Sequence, residues 1–242
     1  MKLLDLTLAT PAENLALDEA LLNQAESLPE STSAGVLRLW ESPEPFVVAG
    51  RATRLQEEVN LKACEADGIP VLRRCSGGTS VVAGPGCLMY AVVLSYRDHP
   101  DLKVVDAAHR HVMSKLQRAL AEFSPDVQFR GTCDLCLGEL KFSGNALRCK
   151  RSHLLYHGTV LYDFPLDRIE RWLGDPPRQP EYRQNRSHES FITNFPFPVA
   201  DLRAAICREW QAAEPLETWP REATEALVAS RYMRDTWHRR LL

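Results

Sequence analysis

Three short stretches concentrate the groups able to do chemistry: "RRCSGGTS" at 73–80, "KFSGNALR" at 141–148 and "YHGTV" at 156–160. In the first, Arg73 and Arg74 offer planar forks of donors to an anion, and Gly77 and Gly78 let a ligand approach bare backbone N–H groups. A tight turn between strands with solvated arginines fits the same octet, which does not separate the two readings. In the second stretch Lys141 is a compact positive charge at the start of a strand and turn, suited to a phosphate or carboxylate or simply to solvent. Each glycine turn begins or ends a strand-like run, so the three can converge at one edge of a sheet.

The elements that must position these turns are legible from periodicity. "PAENLALDEALLNQAES" has Leu15, Ala16, Leu21 and Leu22 at helical spacing after a proline. "GVLRLWES" and "PFVVAGR" are strand-like runs around "SPEP" and predict a hairpin. "LQEEVNLKACEADG" predicts one helix stopping at Gly68, and "IPVLRR" a strand that delivers the arginines. "CLMYAVVLSY", long, apolar and rich in β-branched and aromatic residues, predicts a central strand followed by a helix over 104–123. Residues 126–164 predict a meander of three or four strands, and "PLDRIERWLG" a short helix closed by Gly174. The polar, proline-rich residues 175–190 predict a flexible flap, and two helices are expected within residues 199–242. With no repeat or linker, the expectation is one α+β domain over 1–242.

Composition excludes several classes. The 242 residues are 25% charged and 45% hydrophobic with a formal charge of -3, which gives no reason to expect nucleic acid as partner. Seven cysteines, an odd number without terminal clustering, suit a reducing compartment, so a cytoplasmic location is expected. No apolar signal core opens the chain and no run of eighteen apolar residues occurs, so neither export nor a membrane span is expected.

The three stretches, in this order, resemble the lipoate–protein ligase A family of the biotin/lipoate ligase superfamily. Its "RRxSGGG" turn appears as Arg73, Arg74, Cys75, Ser76, Gly77, Gly78 and Thr79, and its "KxSGxAxR" segment as Lys141, Ser143, Gly144, Ala146 and Arg148. Its "HHGTLL"-like strand is "YHGTVL" at 156–161, and "NLALDEAL", "LRLWESPEPFVVAGR", "GPGCLMYAVVLS" and "RSHESFITNF" extend the likeness over nearly the whole chain. The resemblance implies a BPL/LPL catalytic domain: a mixed or antiparallel central sheet flanked by helices. It implies that lipoate, or octanoate, and ATP give an acyl-AMP. A lysine of a lipoyl-domain protein, a dehydrogenase E2 subunit or the glycine-cleavage H protein, then takes the acyl group.

By the same resemblance Lys141 is the essential group, meeting the carboxylate and the α-phosphate. Arg74, Ser76, Gly77, Gly78, Thr79, Asp134, Ser143, Gly144, Ala146, His157, Gly158 and Thr159 line the acyl-adenylate site. Asp134 is also the implied Mg²⁺ ligand, and Glu19 and Trp40 the implied wall of the acyl pocket. Both reaction steps move charge between oxygens, so positioned donors rather than a protein nucleophile are the tools expected. Thr79 stands where the family has a third glycine, and Ala83 where several members carry histidine. The family's carboxy-terminal accessory domain has no counterpart before "DTWHRRLL", which implies that a separate chain completes the activity.

Two other readings remain. Octanoyl- and lipoyltransferases of the same fold pass the acyl group through a cysteine, whose thiolate needs a nearby cation. Residues 88–132 and 150–206, where those enzymes place it, contain no cysteine, and Cys133, Cys136 and Cys149 match neither placement. Small buried hydrophobes describe these three best, "CDLC" lacking a second pair for zinc, and Cys75 is the thiol to test. A non-catalytic lipoyl-binding protein is the remaining class. A biotin ligase is disfavoured because its "GRGRxGR" phosphate loop is missing.

Overall fold

The computed structural model describes residues 1–29, 35–175 and 177–242. Its first half runs β1 (Lys2–Asp5), α1 (Pro11–Ser27), β2 (Val36–Trp40), β3 (Phe46–Ala49), α2 (Leu55–Glu58), α3 (Leu61–Ala66), β4 (Val71–Arg73), β5 (Val81–Ala83), β6 (Cys87–Ser95) and α4 (Val105–Ala121). Then come β7 (Val127–Arg130), β8 (Asp134–Leu137), β9 (Leu140–Cys149), β10 (His153–Leu161), α5 (Asp167–Trp172), α6 (His188–Phe191), α7 (Val199–Glu209), β11 (Glu214–Pro215), α8 (Arg221–Leu227) and α9 (Asp235–His238). Among the described residues, eight strands form a mixed sheet ordered β11-β1-β2-β6-β10-β9-β8-β7, and three form a smaller one ordered β4-β3-β5. This is the α+β architecture with a mixed central sheet flanked by helices.

The centre of the large sheet follows from apolarity. Every residue of β6 and of β10 is buried, and the two strands pair antiparallel from Cys87 with Leu161 to Ser95 with His153. Strands buried on both faces need covers on both. Tyr90, Val92 and Tyr156 share a core with Val112, Met113 and Leu116 of α4, while Ala91, Val93 and Leu155 pack with Leu17 and Leu21 of α1. Because successive side chains on a strand point to opposite faces, Tyr156 goes toward α4 and its neighbour His157 toward α1. Helix α1 starts at a capping box, in which Thr10 Oγ1 accepts from Glu13 N at 3.3 Å and Glu13 Oε2 accepts from Thr10 N at 2.8 Å.

Five expectations about elements are corrected. β2 and β3 are not a hairpin: β2 pairs with β1 and β6, and β3 with β4 and β5 in the other sheet. Pro43 and Pro45 between them lack ladder donors, and β3, buried at all four residues, needs neighbours on both sides. The helix expected over 55–68 breaks into α2 and α3, because Val59 is extended and Asn60 Oδ1 caps α3 by accepting from Ala63 N at 3.2 Å. Helix α5 ends at Trp172, with Leu173 extended before Gly174 can act as a cap. The last expected helix is α8, a π-turn over Val228–Tyr232, and α9, separated by an extended Arg234. Residues 175–190, apart from Pro176, which lies outside the described residues, hold a 3₁₀ turn at Glu181–Arg183 and the start of α6. The meander is present as the four strands β7–β10, with turns in the expected places at Gly131 and Gly138, and α4 follows the central strand. Gly144 and Gly158, however, lie inside β9 and β10 rather than in turns, where their stretches pair with each other and Gly158 faces Asn145.

Candidate active site

A cleft of about 700 Å³ opens where the loop after β4, the start of β9, the middle of β10 and the first turns of α1 and α4 meet. Lys141 reaches it through a sheet irregularity. Asp134 and Cys136 share one face of β8, and a bulge gives β9 one extra residue, so that Lys141 rather than Phe142 stands opposite Cys136. Lys141 is thereby placed on the face that carries Asp134, with Nζ 2.7 Å from Asp134 Oδ1 and its side chain a quarter exposed. Burial pulls this ammonium toward the neutral form, but the Asp134 charge and hydrogen bond outweigh it and raise its pKa above the usual lysine value. The other Asp134 oxygen accepts from Tyr182 Oη at 2.7 Å. The segment before α7 clips the strand, Thr193 N donating to Lys141 O at 2.9 Å.

The two arginines of the glycine loop divide the work. Arg73 is fully buried and donates to Gly50 O at 2.7 Å, Thr53 O at 2.8 Å and His238 O at 3.1 Å, tying the loop to α9. Arg74 donates to Val48 O at 3.2 Å, Thr79 O at 3.0 Å, Ser76 Oγ at 3.0 Å and Gly77 O, so its fork holds the loop's own shape while its side chain borders the cleft. Burial pulls its pKa down to about 10, still a cation at neutral pH. Gly78 has φ +90, and a Cβ on Gly50 would lie 1.9 Å from Gly78 O, so both positions require glycine for the loop to pack.

A chain of polar groups crosses from this loop to α1. Ser76 Oγ and His157 Nε2 are 2.6 Å apart, His157 Nδ1 lies 3.3 Å from Asp18 Oδ2, and Asp18 Oδ1 accepts from Arg38 Nη1 at 2.5 Å. Ser76 Oγ also accepts from Arg74 Nε, and the chain is satisfied when the serine hydroxyl donates to Nε2 and Nδ1–H to Asp18. Both ring nitrogens are thus occupied by protein partners. Ser76 is fully buried, Asp18 is 1% exposed and Arg38 0%. Sequence reading missed Asp18, Arg38 and Tyr182; the available signal was a cation inside the apolar strand "VLRLW" facing an acid on the apolar side of α1.

Arg74, Gly77, Gly78, Thr79, Asp134, Lys141, Gly144, Ala146, His157, Gly158 and Thr159 all border the cleft. Ser143 borders a smaller adjoining cavity of about 80 Å³ that shares Lys141, Gly144 and Thr159 with it. Trp40 and Glu19 do not line the cleft. Trp40 is fully buried against Phe46 at the end of β2, leaving its strand partner Met89 on the wall. Glu19 is turned away to accept from Tyr232 Oη at 2.7 Å and to pair with Arg231, so that Leu15, one turn earlier, supplies the surface from α1. Asp134 does not suit a resident magnesium ion: both its oxygens are engaged, an ammonium already neutralises it, and no group of three or more His, Cys, Asp or Glu side chains among the described residues could hold a metal. Cys75 and Cys133 are poor nucleophiles. Burial, with Glu19 and Asp18 adding to it, pushes Cys75 up to about 12, and burial with Asp134 pushes Cys133 up to about 11.

An ammonium held in register beside a glycine loop, with no activated nucleophile among the groups described, defines a domain that binds and positions an anionic substrate. The chain belongs to the lipoyl protein ligase A/B catalytic domain family, whose model matches residues 10–216. It is 28% identical over 215 residues to a protein of Aeropyrum pernix named as a lipoate-protein ligase A, covering 89% of this chain and 76% of that one. It is 30% identical over 163 residues to one so named in Mycoplasma genitalium, covering 67% of this chain and 46% of that one. Thus the chain spans about half the length of the Mycoplasma relative. The fold is that of a bipartite lipoate protein ligase of Thermoplasma acidophilum, with a TM-score of 0.83, 22% identity and coverage of 100% and 96% of the two chains.

Proposed function

We propose that this protein is an ATP-dependent lipoate–protein ligase, and the observation that carries the reading is the Lys141–Asp134 pair set into the cleft beside the glycine loop. Solved neighbours of the fold hold lipoic acid and ATP, and the Thermoplasma ligase was solved as part of a lipoylation system with its E2 lipoyl domain. The substrates of this reading are therefore lipoate, or octanoate, with ATP, and the acceptor is a lipoyl-domain protein. The apolar chain lies along Leu15, Val48 and Met89, and the nucleotide reaches the smaller cavity through Lys141.

In the first step Lys141 holds the attacking carboxylate against the α-phosphate and offsets charge as it moves to the leaving pyrophosphate. In the second it steadies the carbonyl oxygen of the mixed anhydride under attack. Any Mg²⁺ would come chelated by the nucleotide phosphates. A separate accessory chain is part of the proposal, and the description of the Thermoplasma ligase as bipartite supports it. No helix among the described residues is long and apolar enough to cross a membrane.

The test is transfer to a lipoyl domain by the purified protein. Modification that requires ATP and free lipoate supports the ligase. Modification from octanoyl-carrier protein without ATP would establish the transferase, and binding without product a carrier. Lys141→Ala should retain the fold and lose both steps, and turnover by that variant would reject the role given to Lys141.

A further inference from the structure

Transfer to a protein lysine needs a base, because that amine is an ammonium ion at neutral pH, with a pKa of about 10.4, and attacks only after losing a proton. Most titratable groups lining the cleft cannot serve. Lys141 is itself an ammonium, Asp134 has both oxygens engaged, His157 has both nitrogens engaged, and the arginines hold their protons. Cys133 donates to Asn145 O at 2.9 Å and keeps its proton.

His109 differs from all of these. Its Nδ1 lies 2.8 Å from Tyr156 Oη with the rings edge-on, and its Nε2 has no hydrogen-bond partner among the described residues. It borders the cleft from the first turns of α4. Val105, four residues earlier on the same helix face, also borders the cleft and is 47% exposed, so this face of α4 forms the mouth through which an acceptor side chain would enter.

We propose that His109 is the general base of the transfer step: with Nδ1–H donated to Tyr156 Oη, the Nε2 lone pair takes a proton from the incoming lysine at the cleft mouth. This rests on the ligase reading above. One proton passes from the ammonium to Nε2. The freed amine forms the C–N bond at the acyl carbonyl carbon, and the carbonyl C–O bond to phosphate breaks with its electron pair leaving on AMP. The surplus proton on the amide nitrogen goes to the AMP phosphate, and Nε2 returns its own to water. Burial keeps the imidazole below the ordinary histidine pKa, with Asp106 opposing, so the base form prevails at neutral pH. The charged and titratable groups around it are Asp106 on its own helix, Tyr156 on β10, and Cys133, Asp134, Lys141 and Arg178 across the cleft.

The experiment separates the two half-reactions in the full chain, with any accessory chain it needs. Lipoyl-AMP formation is followed by ATP–pyrophosphate exchange, and transfer by mixing enzyme and supplied lipoyl-AMP with a lipoyl domain. His109→Gln, whose amide can still meet Tyr156, should leave exchange unchanged and slow transfer by about 10²-fold or more at neutral pH. The deficit should shrink as pH rises and the acceptor amine deprotonates by itself. Hydroxylamine, already neutral at pH 7, should be acylated equally by both proteins. Wild-type transfer rates in His109→Gln, a deficit independent of pH, or an equal deficit with hydroxylamine would each overturn the proposal. A wild-type protein that shows neither exchange nor transfer removes the ligase reading, and this one with it.

Discussion

Asp18→Ala tests the polar chain beneath the glycine loop. Arg38 is fully buried and all five of its donors are engaged: Nε with Leu6 O at 3.3 Å, Nη1 with Asn14 O at 2.8 Å and Asp18 Oδ1 at 2.5 Å, and Nη2 with Leu6 O at 3.1 Å and Asn14 Oδ1 at 2.5 Å. Among these partners only Asp18 carries a countercharge. Removing it strands a buried cation, which costs roughly 3–5 kcal/mol. At about 2–4 °C per kcal/mol for a chain of this size, the melting temperature should fall by about 6–20 °C. Urea unfolding and calorimetry measure this directly. Asp18→Leu with Arg38→Met, an apolar replacement of the pair, should recover most of the stability yet remain slow in acyl transfer, because His157 has lost the partner that orients it. A loss under about 1 kcal/mol in Asp18→Ala, or full activity in the double variant, would refute the reasoning.

Gly50→Ala puts a methyl group 1.9 Å from Gly78 O and must displace the loop, so KM for lipoate should rise at least about tenfold with a smaller stability change; an unaltered KM would show that the loop's position is immaterial. Cys75, held at about 12 by burial, should resist iodoacetamide in the folded protein, and Cys75→Ala should keep transfer activity; labelling, or loss of activity in a folded variant, would restore the transferase reading. His238 Nδ1 accepts from Arg73 N at 3.0 Å, and burial holds its pKa below the ordinary value, so the unfolded chain binds this proton more readily than the folded one. Its contribution is complete above about pH 6.5 and is lost as pH falls below that. The urea midpoint should drop between about pH 7.5 and about pH 5.5, less steeply in His238→Gln, and equal slopes would exclude His238 as a source.

What was readable in advance follows from the range over which each feature is encoded. The run "CLMYAVVLS" is buried along its whole length, as expected of a central strand, and "RRCSGG", "KFSGNALR" and "YHGTV" named three stretches that meet at the cleft, although the last two lie within β9 and β10 rather than in turns. Local pattern misjudged partners and orientation instead. Adjacency suggested that β2 and β3 pair, whereas burial of both strands sent them to different sheets. Trp40 and Glu19 have the chemistry of a pocket wall, but one packs on Phe46 and the other is drawn to Arg231 and Tyr232, more than 200 positions away in the chain.

The sequence by itself determined which runs are apolar enough to be buried, where glycines gather beside cations and which cation stands at the start of β9, because those are properties of neighbouring residues and of side-chain hydrophobicity. Only the tertiary structure decided that a one-residue bulge turns Lys141 toward Asp134, that Asp18 and Ser76 both claim His157, and that His109, held at Nδ1 by Tyr156, borders the cleft. Those outcomes are set by strand register and by contacts between groups far apart along the chain, and periodicity within a single segment carries no information about either.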